Sequence, residues 1–196
     1  VDRNASKVPR DVYFVHSDEK QGMETAIDHL HSRGCRKIGC IIHGDPGTGN
    51  ADIRYKAILG ALQTRGLPTN PFIHFSGPGN EKYVEIIGRL LRQNVDALFC
   101  PGGNAGIVAQ YALSLFNRKI PEDISLIASE QTFFSQYAVP PQTTITQDYK
   151  AVAAAVADVI EARLDGTPVK TRTMLPYRLI PRDSVRFRED SSFLRS

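Results

Sequence analysis

The stretch KIGCIIHGDPGTGN, residues 37–50, decides the fold. Its first part is almost wholly apolar, which is typical of a strand buried on both faces of a parallel sheet. The glycine-rich loop after it leads into a segment with Ala57, Ile58, Ala61 and Leu62 at helical spacing. A strand, a glycine-rich turn and a helix in this order predict a parallel α/β domain, and they raise the question whether the loop binds phosphate.

The same alternation continues through the rest of the chain. Because parallel strands need right-handed crossovers, it predicts an α/β fold whose parallel sheet is covered by helices on both faces. Residues 171–182 close the chain as one or two extended pieces. The predicted strands are 12–16, 37–43, 71–75, 96–100, 124–128 and 143–147, and the predicted helices are 22–34, 52–65, 81–94, 105–116 and 148–166.

Three of these helices carry apolar stripes that predict which side chains face the core. Asp148 and Gly166 are suited to cap the two ends of the last helix. That helix has a wide stripe, and the stripe must cover some other surface. The core-facing residues are predicted to be Met23, Ala26, Ile27 and Leu30, then Val84, Ile87 and Leu91, and finally Ala151, Val152, Ala155, Val156, Val159 and Ile160.

Composition limits the classes of protein. The chain has 196 residues, 41% of them hydrophobic and 23% charged, which is ordinary for a globular protein. A net charge of +3 without dense basic clusters does not indicate DNA contact within this segment. No apolar run approaches the roughly 20 residues of a membrane span, so no membrane partner is predicted. The cysteines at 35, 40 and 100 are predicted to be buried, reduced thiols in a cytoplasmic protein.

The loop at 43–50 does not match a nucleoside triphosphate site. Such a loop needs GxxxxGK[ST], in which the lysine neutralises phosphate and the hydroxyl holds magnesium. Gly44 and Gly49 have the spacing, but Asn50 and Ala51 stand where the lysine and the hydroxyl residue belong. The segment 101–109 is similar to a dinucleotide-binding turn but lacks GxGxxG.

Catalytic and metal-binding patterns are weak as well. Ser129 has no GxSxG motif around it, and the spacing of Asp45 and Glu130 does not mark them as an acid and base pair. His29 and His31 are two residues apart on a helix and point to different faces, so they cannot easily share a metal ion. No cofactor and no metal are therefore predicted. Together with the family resemblance given below, these weak patterns lead to the prediction that the chain is not an enzyme.

Parallel sheets bind ligands beyond the carboxyl ends of their strands. The loops that follow these ends are 43–54, 100–104, 129–134 and 147–149, and they should open toward one crevice. They carry a cation, carboxylates, amides and aromatic rings, a mixture suited to a small polar ligand. The side chains are Asp45, Asn50, Arg54, Asn104, Glu130, Gln131, Phe133, Phe134, Gln147 and Tyr149.

Each of the main candidates has a structural alternative. Arg54 lies in the first turn of a helix, where its planar fork could donate to two ligand oxygens or simply be solvated. Glu130 could accept hydrogen bonds from ligand hydroxyls or cap a helix. Phe133 and Phe134 could stack on a sugar ring or anchor their loop in the core.

Several segments, in this order, resemble the effector-binding domain of the lactose/galactose-repressor (LacI/GalR) family of bacterial transcription regulators. Together they are specific, although no single one is. The segments are HSDEKQGMETAIDHLHSRGCRKIGCI (16–41), IRYKAILGAL (53–62), KIPEDISLIASEQ (119–131), PPQTTITQD (140–148) and DGTPVKTRTMLPYRLIPRDS (165–184).

The resemblance implies a fold like that of type I periplasmic binding proteins, with two α/β subdomains around a ligand cleft. Residues 1–16 would be the end of a truncated first subdomain, and residues 17–147 a complete second subdomain. Residues 148–175 would return to the first subdomain, and residues 176–196 would form the C-terminal crossover strand and tail. The rest of the first subdomain and a DNA-reading helix-turn-helix would lie upstream. The stripe of the last helix would then cover the upstream sheet.

The resemblance also implies roles for single residues. Arg54 matches the family's effector-contacting arginine, Gln147 and Tyr149 match the glutamine and aromatic residue at a crossover, and Glu130 takes the place of an aspartate that holds sugar hydroxyls. Gly102 and Gly103 stand where the family commonly has Asn-Asp, which removes two polar ligand contacts. The predicted ligand-binding set is Arg54, Glu130, Gln147, Tyr149, Asn104, Asp45 and Phe133.

These implications predict the effector-sensing domain of a LacI-type regulator that binds a sugar or sugar derivative. Its partners would be that small-molecule effector, operator DNA through the upstream helix-turn-helix, and a second copy in a homodimer. Two alternatives stay open at this point. One is a solute-binding protein that supplies a sugar transporter, and the other is an enzyme of doubly wound architecture.

Overall fold

The computed structural model describes residues 12–77, 82–130 and 134–186. Strands and helices alternate along the chain as the sequence predicts, with boundaries that differ by a few residues. In chain order the elements are β1 (Phe14–Ser17), α1 (Glu19–Ser32), β2 (Ile38–Ile42), α2 (Gly49–Thr64), β3 (Ile73–Phe75), α3 (Tyr83–Arg92), β4 (Ala97–Cys100), α4 (Ala105–Leu115), β5 (Ser125–Ser129), α5 (Phe134–Tyr137), β6 (Thr143–Gln147), α6 (Tyr149–Leu164), β7 (Arg172–Leu175) and β8 (Tyr177–Ile180).

The strands form two sheets. The larger one has six strands in the order β3-β2-β4-β5-β6-β8, and β1 pairs with β7 in a separate two-stranded parallel sheet. The first five strands of the larger sheet are parallel, whereas β8 runs antiparallel to β6 and places Tyr177 opposite Gln147. The predicted helix-covered α/β sheet is confirmed, but the antiparallel edge strand was not predicted.

Two apolar cores lie on opposite faces of the larger sheet, and β2 contributes to both. Its alternate side chains Ile38, Cys40 and Ile42 pack into the core beneath α1 and α2. Ile41 packs on the other side with α3 and α4. All five residues of β2 are buried, which confirms the prediction of a strand covered on both faces.

The stripe predicted for α1 is confirmed, because Met23, Ala26, Ile27 and Leu30 are at most 1% exposed. The stripe predicted for α3 is partly wrong. Its buried residues are Tyr83, Ile86, Ile87, Gly88 and Leu90, while Val84 and Leu91 are partly buried at the margin. The helix is rotated because it packs on both α4 and the sheet, and a single amphipathic pattern does not specify such a two-sided contact.

The three cysteines are buried free thiols, as predicted. Burial raises the pKa of Cys100 to about 12, and it also raises that of Cys40. Both thiols are therefore uncharged at neutral pH and behave as small apolar side chains.

The helix α6 packs differently from α1. Asp148 caps it by accepting a hydrogen bond from the Ala151 amide at 3.1 Å, and Gly166 follows its end with φ +70°, so both predicted caps are confirmed. Val152 is its one buried residue, whereas Ile160 is 54% and Leu164 81% exposed. Within the described residues, the predicted stripe is therefore only partly covered: Ala151, Ala155, Val156 and Val159 are partly buried and Ile160 is exposed.

An open apolar cavity of about 510 Å³ lies between α6 and β1. Arg163 of α6 sits over the ring of Tyr13 at 5.4 Å and closes one side of this cavity. None of the helices in the described ranges is long and apolar enough to cross a membrane. The cavity is lined by Val12, Tyr13, Val15, Val156, Val159, Ile160, Arg163 and Leu164.

Candidate functional site

A cavity of about 310 Å³ lies at the carboxyl ends of β2, β4, β5 and β6. Residues from all four loops that the sequence placed there contribute to it, together with residues near the ends of β1 and β7. Most of its lining is polar. The lining residues are Glu19, His43, Asn50, Arg54, Gly102, Gly103, Ser129, Glu130, Ile145, Thr146, Gln147, Tyr149 and Tyr177.

Arg54 lies on α2 with its side chain 17% exposed, and its guanidinium faces a carboxylate. Its Nε donates to Glu19 Oε2 at 2.8 Å and its Nη2 donates to Glu19 Oε1 at 2.9 Å. Burial alone would lower the pKa of Arg54. The hydrogen bonds and the negative charge of Glu19 outweigh it, so the pKa is raised. The arginine is a charged, buried, bidentate partner of Glu19 and not a solvated surface residue.

Glu19 begins α1, directly after Asp18, whose side chain caps the helix by accepting from the Gln21 amide at 3.1 Å. It is 5% exposed. Tyr177 donates its hydroxyl to Glu19 Oε1 at 3.0 Å. Tyr177 can reach this position because α1 has a glycine there: a Cβ on Gly22 would lie 2.7 Å from the Tyr177 ring. Close packing of α1 on β8 therefore holds the Glu19 carboxylate toward Arg54.

Glu130 follows β5 and forms a second buried ion pair. Arg182 donates from Nη1 to Glu130 Oε2 at 2.9 Å and from Nη2 to Oε1 at 3.2 Å, with side chains 17% and 14% exposed. Thr144 also donates its hydroxyl to Glu130. The predicted acceptor of ligand hydroxyls thus lines the cavity while both of its oxygens already hold protein partners. A carboxylate has about four acceptor positions, so capacity for a ligand remains.

Gln147 and Tyr149 flank the start of α6. Gln147 ends β6, opposite Tyr177 of β8, and Tyr149 is 68% exposed at the first turn of the helix. Between them, Asp148 approaches Arg178 Nη1 at 3.4 Å. The crossover between the two sheets therefore forms one wall of the cavity, with the Tyr149 ring accessible for stacking.

Gly102, the first glycine of the pair after β4, leaves room for Arg54. Gly102 has φ +128°, and a Cβ there would lie 3.2 Å from Arg54 Nη1 and 3.1 Å from His43 Cβ. Its amide donates to Ser129 Oγ at 2.8 Å and ties the loops after β4 and β5 together. A larger residue at this position would press on the arginine.

Of the seven predicted ligand-binding residues, the structure brings four together: Arg54, Glu130, Gln147 and Tyr149. Asp45 and Asn104 are exposed and do not line the cavity. Their loops do reach the site through His43, Asn50, Gly102 and Gly103. Phe133 lies outside the described residues.

Sequence reasoning missed Glu19 and Tyr177. Glu19 comes two residues after the end of β1, so the rule that ligand loops follow strand ends finds it once that rule is applied to β1. Tyr177 gave no such signal. Its position depends on the antiparallel pairing of β8 with β6, which connects residues about thirty positions apart in sequence.

This fold and cavity define a small-molecule-binding α/β domain. The chain belongs to the periplasmic binding protein-like domain family, whose model matches residues 27–185. Its similarity to two regulators supports the resemblance to the LacI/GalR family. It is 31% identical over 183 residues to the transcriptional repressor PurR of Haemophilus influenzae and 29% identical over 181 residues to the transcriptional regulator DegA of Bacillus subtilis.

These matches cover 90% and 91% of this chain, and the chain spans about half the length of both relatives, 54% and 53%. The names describe regulators and not enzymes, so the resemblance and the prediction of a non-enzymatic domain are confirmed by the relatives.

Solved structures agree on the fold. A periplasmic binding protein/LacI transcriptional regulator from Alkaliphilus metalliredigens, complexed with D-xylulofuranose, superposes with a TM-score of 0.72 at 26% identity, covering 89% of this chain and 66% of that one. The transcriptional regulator CelR in complex with cellobiose superposes with a TM-score of 0.78 at 24% identity, covering 93% and 57%. The periplasmic-binding-protein-like fold implied by the sequence motifs is thus confirmed.

Proposed function

We propose that this chain is the effector-sensing domain of a LacI-type transcription regulator and that the cavity at the strand ends binds a sugar or sugar derivative. One observation carries the proposal: the polar cavity draws its walls from loops after β2, β4, β5 and β6 and from the crossover into α6. The sugars in the complexes with CelR and with the Alkaliphilus regulator support this class of ligand.

The lining residues suit a polyol. Glu130 accepts a hydrogen bond from a ligand hydroxyl at the acceptor position of Oε1 that Arg182 and Thr144 leave, and Gln147 donates and accepts at the crossover. The exposed ring of Tyr149 stacks on the apolar face of the sugar.

The domain organisation proposed for the whole protein follows from the two sheets. The strands β2 to β6 with α1 to α5 form the second subdomain, 17–147, and β1, α6 and β7 belong to the first subdomain with 1–16 and 148–175. The residues 176–196 add β8 to the six-stranded sheet and form the tail. A ligand that binds one cleft geometry better than another shifts the population toward it, and an upstream helix-turn-helix reads that shift as a change in affinity for operator DNA. Such a regulator works in the cytoplasm.

A solute-binding protein for a transporter is the alternative with the same fold. The regulator is favoured because PurR and DegA are both named as transcription factors.

A thermal-shift screen of sugars and sugar derivatives tests the proposed ligand class. A ligand at a hundredfold excess over its Kd should raise the free energy of unfolding by about 2.7 kcal/mol. Gln147→Ala should weaken that response, whereas Asn104→Ala is a matched control, since Asn104 is exposed and outside the cavity. Equal losses in both variants, or no response to any sugar, would contradict the proposal.

A second copy of the chain is the proposed protein partner. An apolar groove of about 710 Å³ runs between α4 and the segment after α5. Tyr111, Leu115, Tyr137 and Val139 are 59%, 53%, 74% and 86% exposed around it. Clustered exposed apolar side chains of this size mark interaction surfaces. Arg118 and Glu122 at its rim offer both signs of charge, which suits an interface that repeats the same surface on both copies. A similar solved structure is that of a dimeric Lac repressor.

Sedimentation of Tyr137→Glu tests this partner. The charge in the apolar groove should shift the protein to monomer, whereas Lys56→Glu on the exposed face of α2 changes charge by the same sign and should not. A dimer that survives Tyr137→Glu would place the interface elsewhere.

A further inference from the structure

Arg54, which lines the cavity, and Arg182, which binds the lining residue Glu130, are each neutralised by an internal carboxylate. Glu19 binds Arg54 through two hydrogen bonds of 2.8 and 2.9 Å, and Glu130 binds Arg182 through two of 2.9 and 3.2 Å. All four side chains are at most 17% exposed, so the pairs are shielded from water and weakly screened by salt.

The Arg54 pair decides which ligands can enter. Arg54 lines the cavity and has the planar fork that suits carboxylate or phosphate, but Glu19 occupies two of its nitrogens. Glu19 takes two of the five N–H donors of Arg54, so an anionic ligand would bind the outer Nη1 edge or displace Glu19. In both cases its charge would lie close to the Glu19 carboxylate. The displaced carboxylate would stay within a few ångströms of the incoming negative charge, because it begins α1 and Tyr177 also holds it. Like charges at that distance repel strongly in a shielded site.

Apart from His43, the remaining polar side chains of the lining are amides and hydroxyls. Asn50, Ser129, Thr146, Gln147 and Tyr149 present amides and hydroxyls to the cavity. These groups recognise hydroxyls and ring oxygens by hydrogen bonding without a net charge on the ligand.

We infer that Glu19 is a specificity residue: as the internal counter-ion of Arg54, it excludes acidic and phosphorylated ligands and selects an uncharged polyol. The inference rests on the proposed function, since it narrows the ligand class of the same cavity. Glu19 then occupies the N–H donors of Arg54 that the carboxylate or phosphate of a charged effector would otherwise use.

The test compares the full chain with Glu19→Gln, using inorganic phosphate as the anionic probe and isothermal titration as the readout. The unaltered protein should not bind phosphate, and it should bind uncharged sugars such as glucose, galactose or ribose in preference to the matching uronates and sugar phosphates. Glu19→Gln keeps the shape and removes the charge, so its affinity for phosphate should rise by about tenfold or more. Phosphate binding that is equal in the two proteins would overturn the inference.

Three further variants locate the effect and keep the test valid if Glu19→Gln fails to fold. Glu19→Gln combined with Arg54→Gln removes both charges and should lose the gain in phosphate affinity. Glu19→Asp retains the charge but is one methylene too short to span both nitrogens, so it should show a partial gain if Glu19→Gln fails to fold. Tyr177→Phe, which keeps the ion pair, should show none. A gain that persists without Arg54 would also overturn the inference.

The outcomes separate this inference from the proposed function. If uncharged sugars fail with every protein while phosphate binds Glu19→Gln alone, Glu19 has the assigned role and the sugar proposal is wrong. If uncharged sugars bind the unaltered protein and phosphate affinity is the same with and without Glu19, the sugar proposal stands and the inference is wrong.

Discussion

The helices α1 and α6 have similar sequence patterns but differ in how much of their apolar surface the fold buries. Each is capped by an aspartate at its N-terminus and carries an apolar stripe at helical spacing. The stripe of α1 is buried, and its large residues are at most 1% exposed. The stripe of α6 is only partly covered, with Val152 its one buried member. The reason is that α1 packs on α2 and the six-stranded sheet, whereas α6 has the two-stranded sheet beside it. An apolar stripe therefore predicts a helix, while the amount of facing sheet decides how much that helix is stabilised.

Hydrogen exchange should give the largest contrast between the two regions. In dilute, monomeric chain, amides of β2 should exchange at rates set by global unfolding, since all five of its residues are buried. Amides in the middle of α6 should exchange at least about a thousandfold faster, which corresponds to roughly 4 kcal/mol. Equal protection of the two segments would show that the two-stranded sheet is sufficient to hold α6.

Truncation of one isoleucine in each helix should differ by several kcal/mol. Ile27→Ala removes a side chain with no exposed surface and leaves a cavity, so it should lower the free energy of unfolding by ~2–5 kcal/mol. Ile160→Ala removes a side chain that is 54% exposed and should change it by about 0.5 kcal/mol or less. Urea denaturation of the two variants measures both values, and a similar loss at Ile160 would mean that α6 is covered in solution.

A glycine substitution tests the close contact between α1 and β8. A Cβ on Gly22 would lie 2.7 Å from the Tyr177 ring, so Gly22→Ala should destabilise the protein by ~1–3 kcal/mol and move Tyr177 away from Glu19. Gly60 is the matched control, because it is also helical and a Cβ there would meet nothing within 4 Å. Gly60→Ala should be stabilising by about 0.5–1 kcal/mol. Calorimetry that ranks the two variants the other way would contradict the packing described for α1.

The smallest expected effect is a dependence of stability on pH that comes from His29 of α1. Burial, and then the charge of Arg33, lower the pKa of His29 below its ordinary value of 6.5. The unfolded chain therefore binds the proton first as the pH falls, and stability is lost through the ordinary pKa toward the lowered one. Between pH 7 and pH 5, the free energy of unfolding should fall less in His29→Gln than in the unaltered protein. Parallel pH profiles would exclude this contribution.

Much of the fold could be predicted because its signals are local. The strand β2 is predicted by its apolar composition and the helix α1 by the spacing of its apolar residues. The caps Asp148 and Gly166 are predicted by residue type. The buried face of α3 could not be predicted in the same way, since it contacts α4 and the sheet at once. The antiparallel pairing of β8 joins distant parts of the chain and leaves no periodic trace in either strand.

The candidate site divides along the same line. The rule that ligand loops follow strand ends correctly predicted that Arg54, Glu130 and Gln147 lie at one edge of the sheet. It could not predict that Asp45 is exposed, because a loop of several residues can direct a side chain toward the cavity or toward solvent. Nor could it reveal that Arg54 and Glu130 are each paired with another part of the chain, because ion pairs between distant residues have no sequence spacing.

By itself the sequence determined the alternation of strands and helices, the sheet edge where the polar loops meet, and the family of the domain. Those properties follow from hydrophobic periodicity and from motifs within short segments. The tertiary structure alone decided which charges neutralise one another, and that the apolar stripe of α1 is buried while that of α6 is only partly covered. Both depend on contacts between residues that are far apart in the chain and become neighbours only after the strands are ordered into sheets.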